Sequence, residues 1–189
     1  MLPYMEPTGQ ARRLTAEEYA LLPEDGEQHE LQAGTLIAEP QPFPRHAQIQ
    51  ARLARILVDF VEPRALGVVL TQGGFLLSRH PDTVRAPDVA FVRRDRFDAD
   101  EAERSFFRGA PDLAIEILSP TNRPGETHAK VADYLAAGSK LVWVIDPAHE
   151  VVSVYRSLLA PRCSGADGVI QGDDVLPGLS ISVATLLER

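Results

Sequence analysis

Two acidic side chains interrupt apolar, strand-like segments of the sequence. Asp88 lies within VRAPDVAFV, and Glu116 lies within DLAIEIL. Burying an ionised carboxylate is costly unless another group compensates its charge. A divalent cation can do this, because Mg²⁺ binds carboxylate oxygens together with water and phosphate. If the two segments form adjacent strands, both acids can bind one Mg²⁺ or Mn²⁺ ion; otherwise they lie at strand ends, solvated or paired with arginines.

Lys130 is one of only two lysines in the chain, which uses arginine as its usual cation. It falls in the helix predicted directly after the Glu116 strand, which could return its ammonium group to the same site. There it could orient a water molecule, stabilise a phosphorane, or act as a general base if its pKa were lowered. The simpler interpretation is a solvated residue on the helix surface.

The N-terminal half of the chain predicts two helices and a hairpin. Thr15 and Glu18 form a capping box for a short helix that extends to about Leu22. HELQAGTLIAEP has the pattern of two short strands around a turn. An apolar stripe then predicts an amphipathic helix from Arg45 to Glu62.

The remainder of the chain alternates apolar strands with one further helix. The predicted strands are VVLTQGGFLLS, VRAPDVAFV, DLAIEIL, LVWVID and VVSVYR, the last two forming a hairpin. Helical spacing from about Glu126 to Ala137 places a helix between DLAIEIL and LVWVID, which indicates a βαβ step. The sequence therefore predicts an α/β fold with a mixed central sheet flanked by helices, and a C-terminal tail that packs peripherally.

Composition limits the classes of protein to which this chain can belong. The 189 residues, 44% hydrophobic, suit one domain over residues 14–189, preceded by a flexible leader at 1–13. No segment has the length and hydropathy of a membrane span or signal peptide, so we expect a cytoplasmic protein with no membrane partner. The single Cys163 cannot form an internal disulfide, and a packing role is expected.

The formal net charge of −8 weakly disfavours a protein that coats nucleic acid. It does not exclude a local basic groove. Arg45, Arg52 and Arg55 lie off the apolar stripe of the long helix and could face phosphate, although a solvated helix face is the default for each.

Pro87-Asp88 followed by Glu116-Ile117-Leu118 resembles the PD-(D/E)xK nuclease superfamily. Further blocks, from LTAEEYALLPEDGEQHELQAGTLI to GDDVLPGLSISVATLLE, are similar to the bacterial Uma family of putative restriction endonucleases, over nearly the whole chain from about Leu14. The resemblance implies a restriction-endonuclease-like fold in which Asp88 and Glu116 bind a metal ion and the carbonyl of Ile117 can complete the site. Leu118 stands where the superfamily has its lysine, and Lys130 is the candidate to replace it.

Two further residues match positions within this resemblance. Glu30 corresponds to an early acidic position that can add a ligand or hold a water molecule, or it is a charge at a strand edge. His46, in the PRH block, could contact phosphate or assist proton transfer, although such a histidine more often caps a helix. The other histidines show no zinc-ligand spacing.

The function that follows is metal-dependent hydrolysis of DNA phosphodiester bonds by an endonuclease. One alternative is a catalytically inactive module that uses the same fold to bind nucleic acid or protein. Another is hydrolysis of a different phosphate-containing substrate. Members of the superfamily that cut both strands often dimerise, so a homodimer is a further expectation. No recognition module that would set sequence specificity is identifiable.

Overall fold

The computed structural model describes residues 12–23 and 25–188. The predicted leader at 1–13 falls outside this range except for its last two residues. The expectation of a single domain therefore stays a prediction. In the part of the chain that the structure describes, no helix is long and apolar enough to cross a membrane.

Helices and strands follow one another along the whole described chain. In order, the elements are α1 (Ala16–Ala20), β1 (Gln28–Gln32), β2 (Thr35–Glu39), α2 (Pro44–Val61), β3 (Gly67–Leu70), β4 (Phe75–Ser78), β5 (Thr83–Arg85), β6 (Val89–Arg93), α3 (Ala99–Ala102), β7 (Phe107–Arg108), β8 (Leu113–Ile117), α4 (Pro124–Ala136), β9 (Leu141–Asp146), β10 (Val151–Tyr155), β11 (Arg162–Ser164), β12 (Val169–Gln171), β13 (Ser180–Ser182) and α5 (Val183–Leu187). The capping box of Thr15 and Glu18 is present.

The strands form a six-stranded sheet, a five-stranded sheet and a small two-stranded sheet. The six-stranded sheet has the order β11-β10-β9-β8-β6-β3, and the five-stranded sheet has the order β2-β1-β5-β4-β7. β8 and β9 are parallel and α4 connects them, which confirms the predicted βαβ step. The other pairs of the six-stranded sheet are antiparallel, so the sheet is mixed as predicted.

The two faces of β8 pack against different helices. Leu113, Ile115 and Ile117 belong to the main core, which α2 covers with an apolar stripe that includes Leu53. Ala114, on the opposite face, packs with Val131 and Tyr134 of α4. Because side chains alternate along a strand, Glu116 lies on the α4 face.

Two segments that the sequence predicts as single strands are broken in the structure. VVLTQGGFLLS divides into β3 and β4, and VRAPDVAFV divides into β5 and β6. In each case one half joins the six-stranded sheet and the other half joins the five-stranded sheet. Gln72 has a left-handed φ of 54° at the first break, and Pro87, which cannot donate to a ladder, lies at the second. Asp88 therefore lies in the bend that connects the two sheets.

The prediction of a peripheral C-terminal tail is wrong. Leu176, Val183 and Leu186 are fully buried and belong to the main core with α2. The C-terminal segment therefore contributes buried side chains to the main core.

Arg45 and Arg52 hold this tail in place. The Arg45 guanidinium donates to the carbonyl oxygen of Glu188 at 2.9 Å, and that of Arg52 donates to the carbonyl of Leu186 at 2.8 Å. These carbonyls lie at the end of α5, where a helix leaves its last C=O groups without partners. The interpretation of these two arginines as a phosphate-facing strip is therefore wrong, whereas Arg55 is an exposed residue near Asp59.

Cys163 is exposed on β11, so the predicted packing role is also wrong.

Candidate active site

A cleft of about 560 Å³ collects the residues that the sequence singles out. Its lining includes Glu30 from β1, His46 from α2, Asp88 from the bend before β6, Glu116 from β8 and Lys130 from α4. Both large sheets thus contribute to one site. Ile117 and Leu118 also line the cleft.

Asp88 and Glu116 come from neighbouring strands. β6 and β8 pair antiparallel with Val89 opposite Ile115, and extending this register by one residue places Asp88 opposite Glu116. Directly opposite residues of an antiparallel pair have Cβ atoms about 4.5–5.5 Å apart. Asp88 and Glu116 therefore belong to adjacent strands, as the binding of one shared cation requires.

The Asp88 side chain is held at one of its two oxygens. Oδ2 accepts the backbone N–H of Ile117 at 2.7 Å and lies 3.1 Å from Nε2 of His46. Oδ1 makes no hydrogen bond to any described residue. Only 15% of the side chain is exposed, so the interpretation of Asp88 as a solvated strand-end charge is wrong.

Glu116 is buried on the α4 face of β8. Its Oε1 accepts the hydroxyl proton of Tyr134 at 2.7 Å, and its Oε2 lies 3.7 Å from Nζ of Lys130. Burial raises the pKa of Glu116 to about 8; Lys130 opposes this shift, while the negative charges of Asp88 and Glu30 add to it. Without a cation, Glu116 therefore binds a proton over much of the neutral range.

Lys130 lies among three carboxylates. Its Nζ is 3.2 Å from Oε1 of Glu30, 3.2 Å from Oε1 of Glu39 and 3.7 Å from Oε2 of Glu116. Burial alone lowers the pKa of Lys130, but these carboxylates outweigh burial and raise it above its ordinary value. The side chain is 13% exposed, so the solvated-surface interpretation is wrong.

Glu30 is buried, with only 1% of the residue exposed. Its Oε2 accepts from Arg85 at 2.7 Å, and its Oε1 accepts from the backbone N–H of Ala86 at 3.0 Å. Burial raises the pKa of Glu30, but Lys130 and Arg85 outweigh burial and lower it, so the group stays ionised. The interpretation as a strand-edge charge is wrong.

His46 contacts Asp88 and does not cap α2. The N-cap residue of α2 is Phe43, and no side chain makes a capping hydrogen bond there. His46 lies in the first turn with 7% of the residue exposed and directs Nε2 to Asp88. A role in phosphate contact or proton transfer stays a prediction.

Three residues of the site did not stand out in the sequence. Glu39 ends β2 and contacts Lys130, Tyr134 contacts Glu116, and Arg85 joins Glu30 to Asp133 of α4. Tyr134 follows Lys130 by four residues, a spacing that places two side chains on one helix face. This spacing could have indicated from the sequence that Tyr134 lies beside Lys130. No comparable pattern marks Glu39 or Arg85, because their contact partners are distant in the sequence.

A separate group of possible cation ligands lies near the cleft. Ligand atoms of Asp25, Glu27 and His29 are within 4.8 Å of one another, and the two acids are exposed. None of the predicted metal ligands belongs to this group.

The fold and the site together define an α/β protein with two opposed carboxylates and a buried lysine in a cleft between two sheets. A solved structure described as a putative nuclease belonging to DUF820, from Anabaena variabilis, has this fold: the TM-score is 0.81 at 24% sequence identity, over 92% of this chain and 97% of that one. A comparison with curated proteins found no match.

The family model described as "Uma2: Putative restriction endonuclease" matches residues 16–184. The chain belongs to this family, which confirms the resemblance found in the sequence. It also has the predicted α/β, nuclease-like fold.

Proposed function

We propose that this protein is a metal-dependent nuclease that hydrolyses DNA phosphodiester bonds. The observation that carries the proposal is the opposition of Asp88 and Glu116 across two strands, with the ammonium group of Lys130 at 3.7 Å from Glu116. Membership of a family described as putative restriction endonucleases supports the same class of reaction.

The donor atoms suit Mg²⁺ or Mn²⁺. Oδ1 of Asp88 has no hydrogen bond to the described residues, and Oε2 of Glu116 has no neutral donor there. The backbone N–H of Ile117 points to Asp88. In a β-strand the N–H and C=O groups of one residue point to the same side. The carbonyl group of Ile117 therefore also faces Asp88. Two carboxylates and a carbonyl are the oxygen ligands that these hard cations prefer. A cation bound there would polarise a phosphate oxygen and activate water.

Lys130 contributes positive charge to the reaction. Because its pKa is raised, it remains protonated and can offset negative charge that develops on the phosphate. Glu30 and Glu39 hold its ammonium group from the β1–β2 hairpin. This arrangement favours an electrostatic and orienting role for Lys130 over that of a general base.

Cleavage of a supercoiled plasmid tests the proposal. With Mg²⁺ or Mn²⁺ the protein should nick or linearise the plasmid, and EDTA should abolish the reaction. Asp88→Asn, which removes a ligand charge but keeps the shape, should reduce the rate by about 100-fold or more. Asp59→Asn makes the same chemical change on the exposed side of α2 and should leave the rate unchanged.

The alternatives give different results in the same assay. DNA binding without cleavage under any of these conditions would identify a catalytically inactive module. Cleavage of RNA or of small phosphodiesters, but not of DNA, would support the proposed active site and contradict the proposed substrate. Full activity of Asp88→Asn would contradict the proposal.

A further inference from the structure

Tyr134 is a fully buried tyrosine whose hydroxyl group has a single described partner, the carboxylate of Glu116. It lies on α4, four residues after Lys130, and its hydroxyl donates to Oε1 of Glu116 at 2.7 Å. Its ring packs with Val131, Ala114 and Val142. The rings of phenylalanine and tyrosine pack alike, so packing alone does not require the hydroxyl group.

Two donors of α4 approach different oxygens of the same carboxylate. Tyr134 reaches Oε1 at 2.7 Å, whereas Nζ of Lys130 is 3.7 Å from Oε2, beyond the range of a normal hydrogen bond. The Tyr134 bond therefore sets the rotation of the Glu116 carboxylate about its terminal bond. With Oε1 committed to the hydroxyl group, Oε2 is the oxygen left to a cation.

A neutral donor is well suited to this task. A second ammonium or guanidinium group at the same place would also hold the carboxylate, but its charge would repel a divalent cation. A hydroxyl group stabilises the ionised carboxylate by a hydrogen bond without adding positive charge. Groups that orient metal ligands in this way commonly contribute 10- to 100-fold to metal affinity or activity.

Resting on the metal-dependent function proposed above, we propose that Tyr134 is a positioning residue that orients Glu116 so that Oε2 faces the divalent cation. Tyr134 touches neither the cation nor the substrate in this arrangement. It acts through Glu116, and its contribution disappears when Glu116 can no longer act as a carboxylate ligand.

Calorimetric titration with Mn²⁺ tests this inference on the full chain. Tyr134→Phe should weaken Mn²⁺ binding by about 10-fold or more. Tyr155→Phe is the matched control, because Tyr155 packs against the same small cluster and its hydroxyl makes no hydrogen bond to the described residues. It should bind Mn²⁺ as the wild type does. In cleavage, Tyr134→Phe should raise the Mn²⁺ concentration needed for half-maximal activity more than it lowers the rate at saturation.

The Glu116→Gln background separates positioning from a general structural effect. There, Tyr134→Phe should cause no further loss of Mn²⁺ affinity, since residues that act as one unit are not additive. If Tyr134→Phe alone unfolds, Tyr134→Met serves in its place, because it also lacks the hydroxyl group and leaves the Glu116 ligand unchanged; its affinity should fall similarly.

The outcomes distinguish this inference from the proposed function. Wild-type affinity in folded Tyr134→Phe, or a full additional loss in the Glu116→Gln background, would overturn the positioning role while leaving the nuclease intact. If the wild type itself neither binds Mn²⁺ nor cleaves, both proposals fail.

Discussion

At the scale of single residues, the site contains more buried carboxylates than cationic side chains to compensate them. Glu30, Glu39 and Glu116 all contact Lys130, and Asp88 adds a fourth carboxylate close by. Each ion loses hydration on burial, and one ammonium group compensates only part of the charge. Glu116 bears most of this imbalance, since burial raises its pKa to about 8.

This imbalance predicts that Glu116 destabilises the metal-free protein as the pH rises. Its pKa is 4.5 ordinarily and about 8 in the folded state, so the folded state binds the proton more tightly than the unfolded state does. Stability is therefore lost as pH rises from the unfolded pKa through the folded pKa. Glu116→Gln cannot ionise. In EDTA it should be within about 1 kcal/mol of the wild type near pH 5 and more stable by up to about 4 kcal/mol near pH 8.

Urea unfolding at the two pH values measures this difference. Glu62→Gln, which neutralises an exposed acid, controls for the change in net charge. An advantage of Glu116→Gln that is equal at both pH values, or larger in acid, would contradict the assignment. The same variant should be inactive, so the stabilised protein would be the one without function.

At the scale of elements, the site depends on how the two sheets are connected. β8 and α4 supply Glu116, Lys130 and Tyr134, whereas the β1–β2 hairpin supplies Glu30 and Glu39. Arg85 links the hairpin to α4 by contacting Glu30 and Asp133. The long helix α2 contributes His46 to the cleft but turns Arg45 and Arg52 toward the C-terminal segment.

Because Arg52 is a structural contact, its substitution should lower the stability of the protein without changing its activity. Arg52→Met removes donors to the carbonyl groups at the end of α5 and should lower the free energy of unfolding by about 1–2 kcal/mol. The rate of cleavage per folded molecule should not change, because Arg52 does not line the cleft. Arg55→Met, on an exposed part of the same helix, should alter neither quantity. A selective loss of DNA affinity in Arg52→Met would restore the phosphate-facing interpretation.

At the scale of the whole molecule, the formal net charge of −8 must be reconciled with the polyanionic substrate proposed above. Of the lysine and arginine side chains that line the cleft, Arg85 and Lys130 are paired with buried acids, and Arg123 is exposed. Few phosphates can therefore be neutralised along the cleft. Affinity for DNA should come from the bound cation and from local contacts more than from a basic surface.

The dependence of DNA binding on salt checks this balance of charge. A plot of log K against log salt, measured on the wild type with Ca²⁺ in place of Mg²⁺ to suppress cleavage, should have a slope of about −1 to −2, since each neutralised phosphate contributes about −0.9. Arg123→Met should make the slope shallower by about one. A slope of about −6 would reveal an extended basic surface elsewhere or an assembly of several chains.

The chemistry-bearing residues were predictable because their types are unusual where they stand. A carboxylate inside an apolar segment, as at Asp88 or Glu116, indicates a functional site by itself. A rare lysine on the next helix is weaker evidence for such a site. The helices, the hairpin and the βαβ step follow from local periodicity, and the βαβ step with its crossover places Glu116 and Lys130 in consecutive elements.

Contacts between distant segments could not be predicted in the same way. Glu39 at a strand end and Tyr134 in an apolar stripe look ordinary until folding brings them to Lys130 and Glu116. The destination of Arg52 was likewise hidden, because its partners lie over 130 residues away at the other end of the chain. Residue type and local periodicity determined by themselves which groups could do chemistry and which elements carry them. Only the tertiary structure decided which charges meet, because long-range pairing depends on how two sheets bend and pack together, which no local window of sequence records.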